Sequence, residues 1–169
     1  MSSTTSFSTM SPGPWAPGSW PPWPASRTIR DTPSPSCRAS ENWPLEFAVG
    51  DPVVVPDGPP VGAAISAAVA DGARVVLTTG GTGLTPTDRT PEQTRALLDF
   101  EVPGIGEAIR AYGAAKGIPA AALSRGTAGV IGSCLVVNLP GSKGGVKDGL
   151  EVLAPILEHA VEQIVGSDH

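Results

Sequence analysis

Basic residues are scarce in this 169-residue chain, with 11 Lys and Arg against 16 Asp and Glu and a formal net charge of −5. Nucleic-acid binding rests on clustered cations that neutralise phosphates, and the few here are scattered, so any phosphate ligand must be held by local groups. Long apolar runs are absent too. No stretch approaches the roughly 20 residues of a membrane-spanning helix. The N-terminus has neither the basic start nor the apolar run of a signal peptide. A soluble cytoplasmic protein is expected. Cys37 and Cys134 lie far apart and outside any metal-ligand spacing, which argues against a disulfide framework or a zinc site. The two histidines are poorly placed for catalysis, His159 within a terminal amphipathic helix and His169 as the last residue.

Proline and tryptophan are abundant, but only at one end: 13 of the 19 prolines and all four tryptophans precede Val61. Residues 11 to 24 (SPGPWAPGSWPPWP) supply few backbone donors and fix φ repeatedly, which suits a polyproline-like or disordered segment and not a central strand. The chain divides accordingly into a Pro/Trp/Ser-rich segment over 1–44, expected to lack structure, and a domain over 45–169. A shifted reading frame or displaced start would give such a beginning; a proline-rich extension docked by an aromatic groove is the alternative.

From Asp51 the pattern alternates strand and helix. Val53-Val54-Val55 reads as a strand, followed by a helix with Val61, Ile65, Ala68 and Val69 on one face. Arg74 to Thr79 reads as a buried strand, completing a βαβ unit of parallel strands. Thr90-Pro91-Glu92-Gln93 opens a helix with a Thr N-cap and a Gln capping box. Another helix runs from Ile105 to about Lys116, and Ser133 to Asn138 forms a β-branched strand. A single last helix from about Gly145 carries Val146, Leu150, Leu153, Leu157, Val161 and Ile164 at helical spacing, and Gly166 ends it. The sum is a three-layer α/β domain with a mostly parallel sheet.

In such sheets ligands bind beyond the carboxyl ends of the strands. Three loops fall there: Pro56-Asp57-Gly58, Thr78-Thr79-Gly80-Gly81-Thr82-Gly83, and Leu139-Pro140-Gly141-Ser142. Three glycines in four residues let the second loop point successive N–H groups at one spot, a phosphate nest. It lacks the Gly-Lys-Ser/Thr of a P-loop, and after Gly81 and Gly83 the third glycine of the dinucleotide fingerprint is missing, its place taken by Pro86. Glycines alone could equally close a tight turn. Asp57 and Asp88 both follow strands and could share one crevice, where about 4 kcal/mol of repulsion at 4 Å and an effective dielectric of 20 would favour a divalent cation. Mg²⁺ binds one or two carboxylates together with substrate phosphates, so both aspartates are candidate ligands. Capping a turn or helix is the plainer role for either. Ser124 and Arg125 offer a hydroxyl and a guanidinium to an anion, although a lone Arg more often ends in a surface ion pair.

Taken together, VVPDG at 54–58, TTGGTGLTPTDRTPE at 78–92, VPGIGEAIR at 102–110, ALSRGTAG at 122–129 and LVVNLPGSKGGVKDGL at 135–150 resemble the Mog and MoaB group of molybdenum-cofactor biosynthesis proteins, and the G domain of gephyrin. The resemblance implies a homotrimeric α/β domain in which a nucleotidyltransferase moves AMP from Mg-ATP to the terminal phosphate of molybdopterin and releases pyrophosphate, upstream of a molybdenum-insertion protein. It implies that Asp57 and Asp88 serve catalysis and Mg²⁺. Thr79, Gly80, Gly81, Thr82 and Gly83 would hold phosphate or pterin, and Ser124, Arg125, Asn138, Pro140, Gly141 and Ser142 would line the pterin and nucleotide pocket. The departure is at the start. The family opens with an apolar strand, an Asp-x-Ser-Gly-Pro-like segment and a long helix, whereas no apolar β run precedes Leu45 here. Only Arg30 to Ser34 echoes the acidic segment, and Leu45 to Val49 reads as the end of the displaced helix. The first strand is therefore expected to be missing or replaced. Alternatives to the enzyme are a non-catalytic pterin-binding or scaffolding module and an inactive copy with a disrupted beginning.

Overall fold

The computed structural model describes residues 4–12 and 47–166, and within them a seven-stranded sheet is covered by helices. The strands are β1 (Thr4–Pro12), β2 (Phe47–Val49), β3 (Val53–Pro56), β4 (Val75–Thr79), β5 (Phe100–Glu101), β6 (Ala128–Ile131) and β7 (Cys134–Leu139). The helices are α1 (Pro59–Ala70), α2 (Thr90–Arg95), α3 (Pro103–Ala115), a 3-10 turn (Pro119–Leu123), α4 (Lys143–Leu153) and α5 (Leu157–Ile164).

The sheet order is β2-β1-β4-β7-β6-β5, with β3 also paired to β1. β4 and β7 pair in parallel, while β1 is antiparallel to β2, β3 and β4, and β6 is antiparallel to β5 and β7. Five of the seven strands therefore point one way, and only β1 and β6 oppose them. The expected βαβ unit survives with a difference: β3 and β4 share a direction across α1, but β1 lies between them.

Alternation on the two central strands builds both cores. Val75 and Leu77 of β4, with Leu135, Val137 and Leu139 of β7, face one side and pack with Ile105 and Ile109 of α3, Leu153 of α4, and Leu157 and Val161 of α5. Val76, Cys134 and Val136 face the other side and pack with Val61 and Ile65 of α1. Side chains of successive strand residues point to opposite faces, so apolar runs need cover on both, and the helices supply it. Each fully buried Val, Leu or Ile contributes about 1.5–3 kcal/mol.

Several local expectations need correction. Residues 4–12 lie in the segment for which no structure was expected, yet they form β1; residues 13–46, including the Arg30 to Ser34 echo, lie outside the described residues. A strand does fill a place in the sheet ahead of Leu45, running against β3 and β4 rather than with them. Phe47–Val49, read as a helix end, is a strand pairing with β1. Val53 and Val54, on a strand that pairs only with β1, are 51% and 61% exposed. The N-cap of α2 is Arg89 with no side-chain capping bond, and Thr90 is its first residue. The last helix is two helices. Pro155 has no N–H to continue the ladder, so α4 stops at Leu153 and α5 starts at Leu157. Gly166, with φ of 71°, follows the end of α5 as expected. No helix among the described residues is long and apolar enough to cross a membrane.

Candidate functional site

Because β3, β4 and β7 point the same way, their carboxyl ends fall on one edge of the sheet. The β1 register levels them further, since Ser6 is opposite both Val54 and Thr79, and Thr79 is opposite Leu139. The three loops named from sequence leave from these ends and touch one another. Thr79 Oγ1 donates to Pro140 O at 2.8 Å. A Cβ placed on Gly141 would come 3.2 Å from Gly80 Cα. A Cβ on Gly81 would strike Thr90 Oγ1 and stand 2.8 Å from Asp57 Oδ1, and one on Gly83 would stand 2.8 Å from Asp88 Oδ2. The two carboxylates thus pack against residues two apart in a single loop.

Glycine has different uses along that loop. Gly80 and Gly81 take φ of 99° and 62°, the left-handed region that a side chain resists. Gly83 does not; it is small because Asp88 leans on it. The carbonyls of Gly81, Thr82 and Gly83 accept from Thr90 N at 3.1 Å, Arg125 N at 2.9 Å and Arg125 Nε at 2.7 Å. In a trans peptide N–H and C=O point in opposite directions, so the amides of Thr82, Gly83 and Leu84 face away from those partners. These bonds therefore do not occupy the three amides.

Arg125 is bonded extensively to protein. Besides Gly83 O, its guanidinium donates to Asp88 O and pairs with Glu92. It straps the loop, Asp88 and α2 together. Burial alone would raise the Glu92 carboxyl, but bonds from its own backbone N–H and from Arg125 hold it below the usual carboxylate value. Ser124 Oγ lies 3.4 Å from Thr82 Oγ1. Asp88 Oδ2 accepts from Thr85 N at 2.9 Å and Thr85 Oγ1 at 2.6 Å, so the turn-capping role is real, and Oδ1 is the oxygen left to meet a ligand.

Asn138 differs from expectation most clearly. It is 3% exposed, and its amide donates to Thr78 Oγ1 and Thr94 Oγ1, both at 2.9 Å, while Oδ1 accepts from Thr127 N at 3.4 Å. The side chain ties β7 to β4 and α2 beneath the site and does not line it. Pro140 and Ser142 do line a cavity, of about 210 Å³, together with Ser124. Ser142 also caps α4, its Oγ accepting from Gly145 N at 3.1 Å.

Three groups carry no role in the sequence reading. Arg110, inside the VPGIGEAIR motif, donates to Gly126 O at 3.1 Å and borders two cavities, one of about 210 Å³ and one of about 310 Å³ that also includes Arg95 and Arg125. Glu92 is the counter-ion of Arg125. Asp148 is buried and bound by Lys116 at 2.7 Å. Each meets its partner only through the tertiary fold, and the spacing in sequence gives no sign of it.

The donor set around the glycine loop suits Mg²⁺. Asp57 and Asp88 flank one loop, and among the described residues no group of three or more His, Cys, Asp or Glu could cage an ion by itself. Mg²⁺ ordinarily takes one or two carboxylates and completes its octahedron with water and substrate phosphate, which two carboxylates beside one glycine-rich loop allow.

Residues 25–159 match the family model described as "Probable molybdopterin binding domain". The chain is 41% identical over 132 residues to a molybdenum cofactor biosynthesis bifunctional protein of Synechococcus elongatus, covering 76% of this chain and 41% of that protein. It is 39% identical over 93 residues to a molybdopterin adenylyltransferase of Helicobacter pylori, covering 55% of this chain and 52% of the relative. The chain thus spans about half or less of the length of these curated relatives. Among solved structures, the molybdopterin biosynthesis Mog protein of Mycobacterium ulcerans superposes with a TM-score of 0.62 at 56% identity, over 64% of this chain and 70% of that one.

Proposed function

The chain belongs to the molybdopterin-binding domain family, and on that premise we propose that it is a molybdopterin adenylyltransferase, with residues 45–169, completed by β1 in the sheet, as the domain that binds molybdopterin and ATP. A terminal phosphate oxygen of molybdopterin attacks the α-phosphorus of ATP, the bond to the bridging oxygen of the β-phosphate breaks, and pyrophosphate leaves. Adenylyl-molybdopterin results. The observation that carries this reading is the convergence of Asp57 and Asp88 on Gly81 and Gly83, where the carboxyl ends of β3, β4 and β7 meet.

The work of the protein residues is positioning. The amides of Thr82, Gly83 and Leu84 orient phosphate oxygens, and Arg125 keeps the loop in shape through Gly83 and Asp88. Thr79, by holding Pro140, keeps the third loop against the second. Mg²⁺, held by Asp57 and Asp88, would neutralise charge on the polyphosphate. A preorganised site of this kind supplies orientation and electrostatic stabilisation, which is most of what phosphoryl-type transfer asks of a protein. A homotrimer in the cytoplasm that delivers its product to a molybdenum-insertion protein completes the proposal.

A second reading, a module that binds molybdopterin without transferring AMP, is favoured by the opposed direction of β1 and by an apolar cavity of about 150 Å³ between Val49, Leu77, Leu139 and Leu150. The purified full chain, given ATP, Mg²⁺ and molybdopterin, separates the two: pyrophosphate release and adenylyl-molybdopterin support the transferase, and tight binding of molybdopterin with neither product supports the module.

A further inference from the structure

Between the 3-10 turn and β6 the chain leaves Ser124 in an extended conformation, with φ of −68° and ψ of 124°. Along an extended segment the backbone groups of successive residues turn to opposite edges. Arg125 N–H accordingly faces the glycine loop and donates to Thr82 O at 2.9 Å. The carbonyls on either side of it face α3, and one side chain there answers both. Arg110 Nη1 donates to Gly126 O at 3.1 Å and to Ser124 O at 3.4 Å. Gly106, one turn earlier on α3, makes room for this approach: a Cβ there would stand 3.0 Å from Gly126 O and 3.3 Å from Arg110 Nη1.

Arg110 is half-buried, and among the described residues no carboxylate pairs with it. Its hydrogen bonds to protein are those to the two carbonyls. Gly126 is buried, so its carbonyl needs a partner, and a charged donor makes the stronger kind of bond. The residue held between the two carbonyls is Arg125, whose guanidinium carries Gly83 O, Asp88 O and Glu92. A continuous series of bonds therefore runs from α3 through the 124–126 backbone to the glycine loop and to the segment bearing Asp88.

We infer that Arg110 is a positioning residue of the glycine-loop site: by fixing the carbonyls on either side of Arg125, it sets where that guanidinium meets the loop and Asp88. The inference rests on the proposed transferase reading and deepens it, because it extends the support of the transfer site to α3. Arg110 needs no bond to substrate for this role, although its side chain borders the cavities of about 210 and 310 Å³. Transfer depends on alignment of the reacting groups, and a displacement of about 1 Å caused by a residue outside the chemistry lowers the rate by up to about a hundredfold.

The test is a double-mutant cycle in the full chain between Arg110→Met, which keeps an apolar stem and removes the donors, and Arg125→Ala. Two readouts are taken on folded protein: hydrogen exchange at the amides of residue 125 and Thr90, which bond to the loop carbonyls of Thr82 and Gly81, and AMP transfer to molybdopterin. Arg110→Met is expected to speed exchange at both amides by about tenfold. It should lower kcat by about tenfold or more while KM for ATP and for molybdopterin stays within about threefold, the pattern of lost alignment with binding kept. The double variant should be no worse than Arg125→Ala, because both substitutions cut one series of bonds. Parent-like exchange and kcat in Arg110→Met, effects that multiply in the double variant, or a raised KM with unchanged kcat would each overturn the inference, the last by making Arg110 a substrate-binding residue. So would an Arg110→Met chain that fails to fold where Arg125→Ala folds, since Arg110 would then serve the fold alone. Exchange that loosens as expected around a parent without AMP transfer defeats the transferase reading alone; transfer in the parent with both readouts indifferent to Arg110 defeats this inference alone.

Discussion

Arg125 pairs with Glu92 across 33 positions of sequence, and the same guanidinium holds the carbonyls of Gly83 and Asp88. One side chain thereby joins the segment before β6, the glycine loop and α2. The loop proposed to present amides to phosphate is shaped from outside by a residue that bonds to protein.

Arg125→Ala should remove all three attachments and cost about 1–3 kcal/mol, the usual loss for charged hydrogen bonds at a partly exposed site. Urea unfolding should show a lower midpoint with an unchanged slope. AMP transfer should fall further than the stability loss explains, because the loop is no longer fixed. Arg125→Lys should restore little, since a single ammonium cannot reproduce the guanidinium fork.

The pH dependence of the same pair has a definite sign. The carboxyl of Glu92 is held below its ordinary value of 4.5. A depressed folded value stabilises the native state above the unfolded value, and this contribution disappears as pH falls through the lower folded value. Denaturant midpoints of the parent and Glu92→Gln should therefore differ at neutral pH and converge under acid. Lys116 behaves in the opposite sense: its value is raised above 10.5, first by Asp148 and then by Glu151, so its contribution is complete below 10.5 and lost as pH climbs through the raised value.

Gly81→Ala should be among the most damaging substitutions in the loop. Its φ of 62° is unfavourable for a side chain, and the new methyl would meet Thr90 and Asp57. A cost of about 1–3 kcal/mol follows from the backbone strain alone, and displacement of Asp57 should reduce AMP transfer by more. Gly104→Ala, with nothing within 4 Å of the added atom, is the control and should leave both stability and transfer close to the parent.

Much of this arrangement is legible in the sequence, and the illegible parts have physical reasons. The continuous apolar runs of Val75–Thr79 and Cys134–Leu139 mark the two central strands, the glycine loop follows directly from the end of the first, and Asp57 follows the end of β3. β1 is not readable in this way. Thr4–Pro12 has no apolar periodicity, and what places it is backbone pairing with β2, β3 and β4. Apolar spacing continues across Pro155, so periodicity reads one helix where the missing N–H makes two. Asn138 sits in a motif that suggests ligand contact, but its position on the α2 side of β7 turns it toward Thr78 and Thr94. Asp57 and Asp88 lie 31 positions apart, and loop proximity, inferred from strand ends, is what brings both to the same glycines.

Asn138→Ala provides a measure of that buried network. Thr78 and Thr94 are both 0% exposed, so removal of the amide strands a hydroxyl acceptor on each, at a cost of about 1–3 kcal/mol. The melting temperature should drop accordingly, while the affinity for ATP at a temperature where the variant is folded should change little.

Cys134 should be chemically silent in the native protein. It is 1% exposed, and burial pushes its thiol up to about 12, whereas the thiolate is the reactive form. In a Cys37→Ser background at mildly alkaline pH, a thiol reagent should label Cys134 only once denaturant unfolds the chain. Rapid labelling under native conditions would place the strand elsewhere.

The account stands or falls on Asp57 and Asp88 acting together on a magnesium nucleotide. The most direct measurement is the Mg²⁺ dependence of AMP transfer to molybdopterin, in the parent, Asp57→Asn, Asp88→Asn and the double variant. Each single variant should lose transfer by about a hundredfold or more while still binding molybdopterin, and the double variant should be little worse than either, as for residues that act as a unit. Full transfer in Asp57→Asn or Asp88→Asn with an unchanged Mg²⁺ requirement would contradict the account.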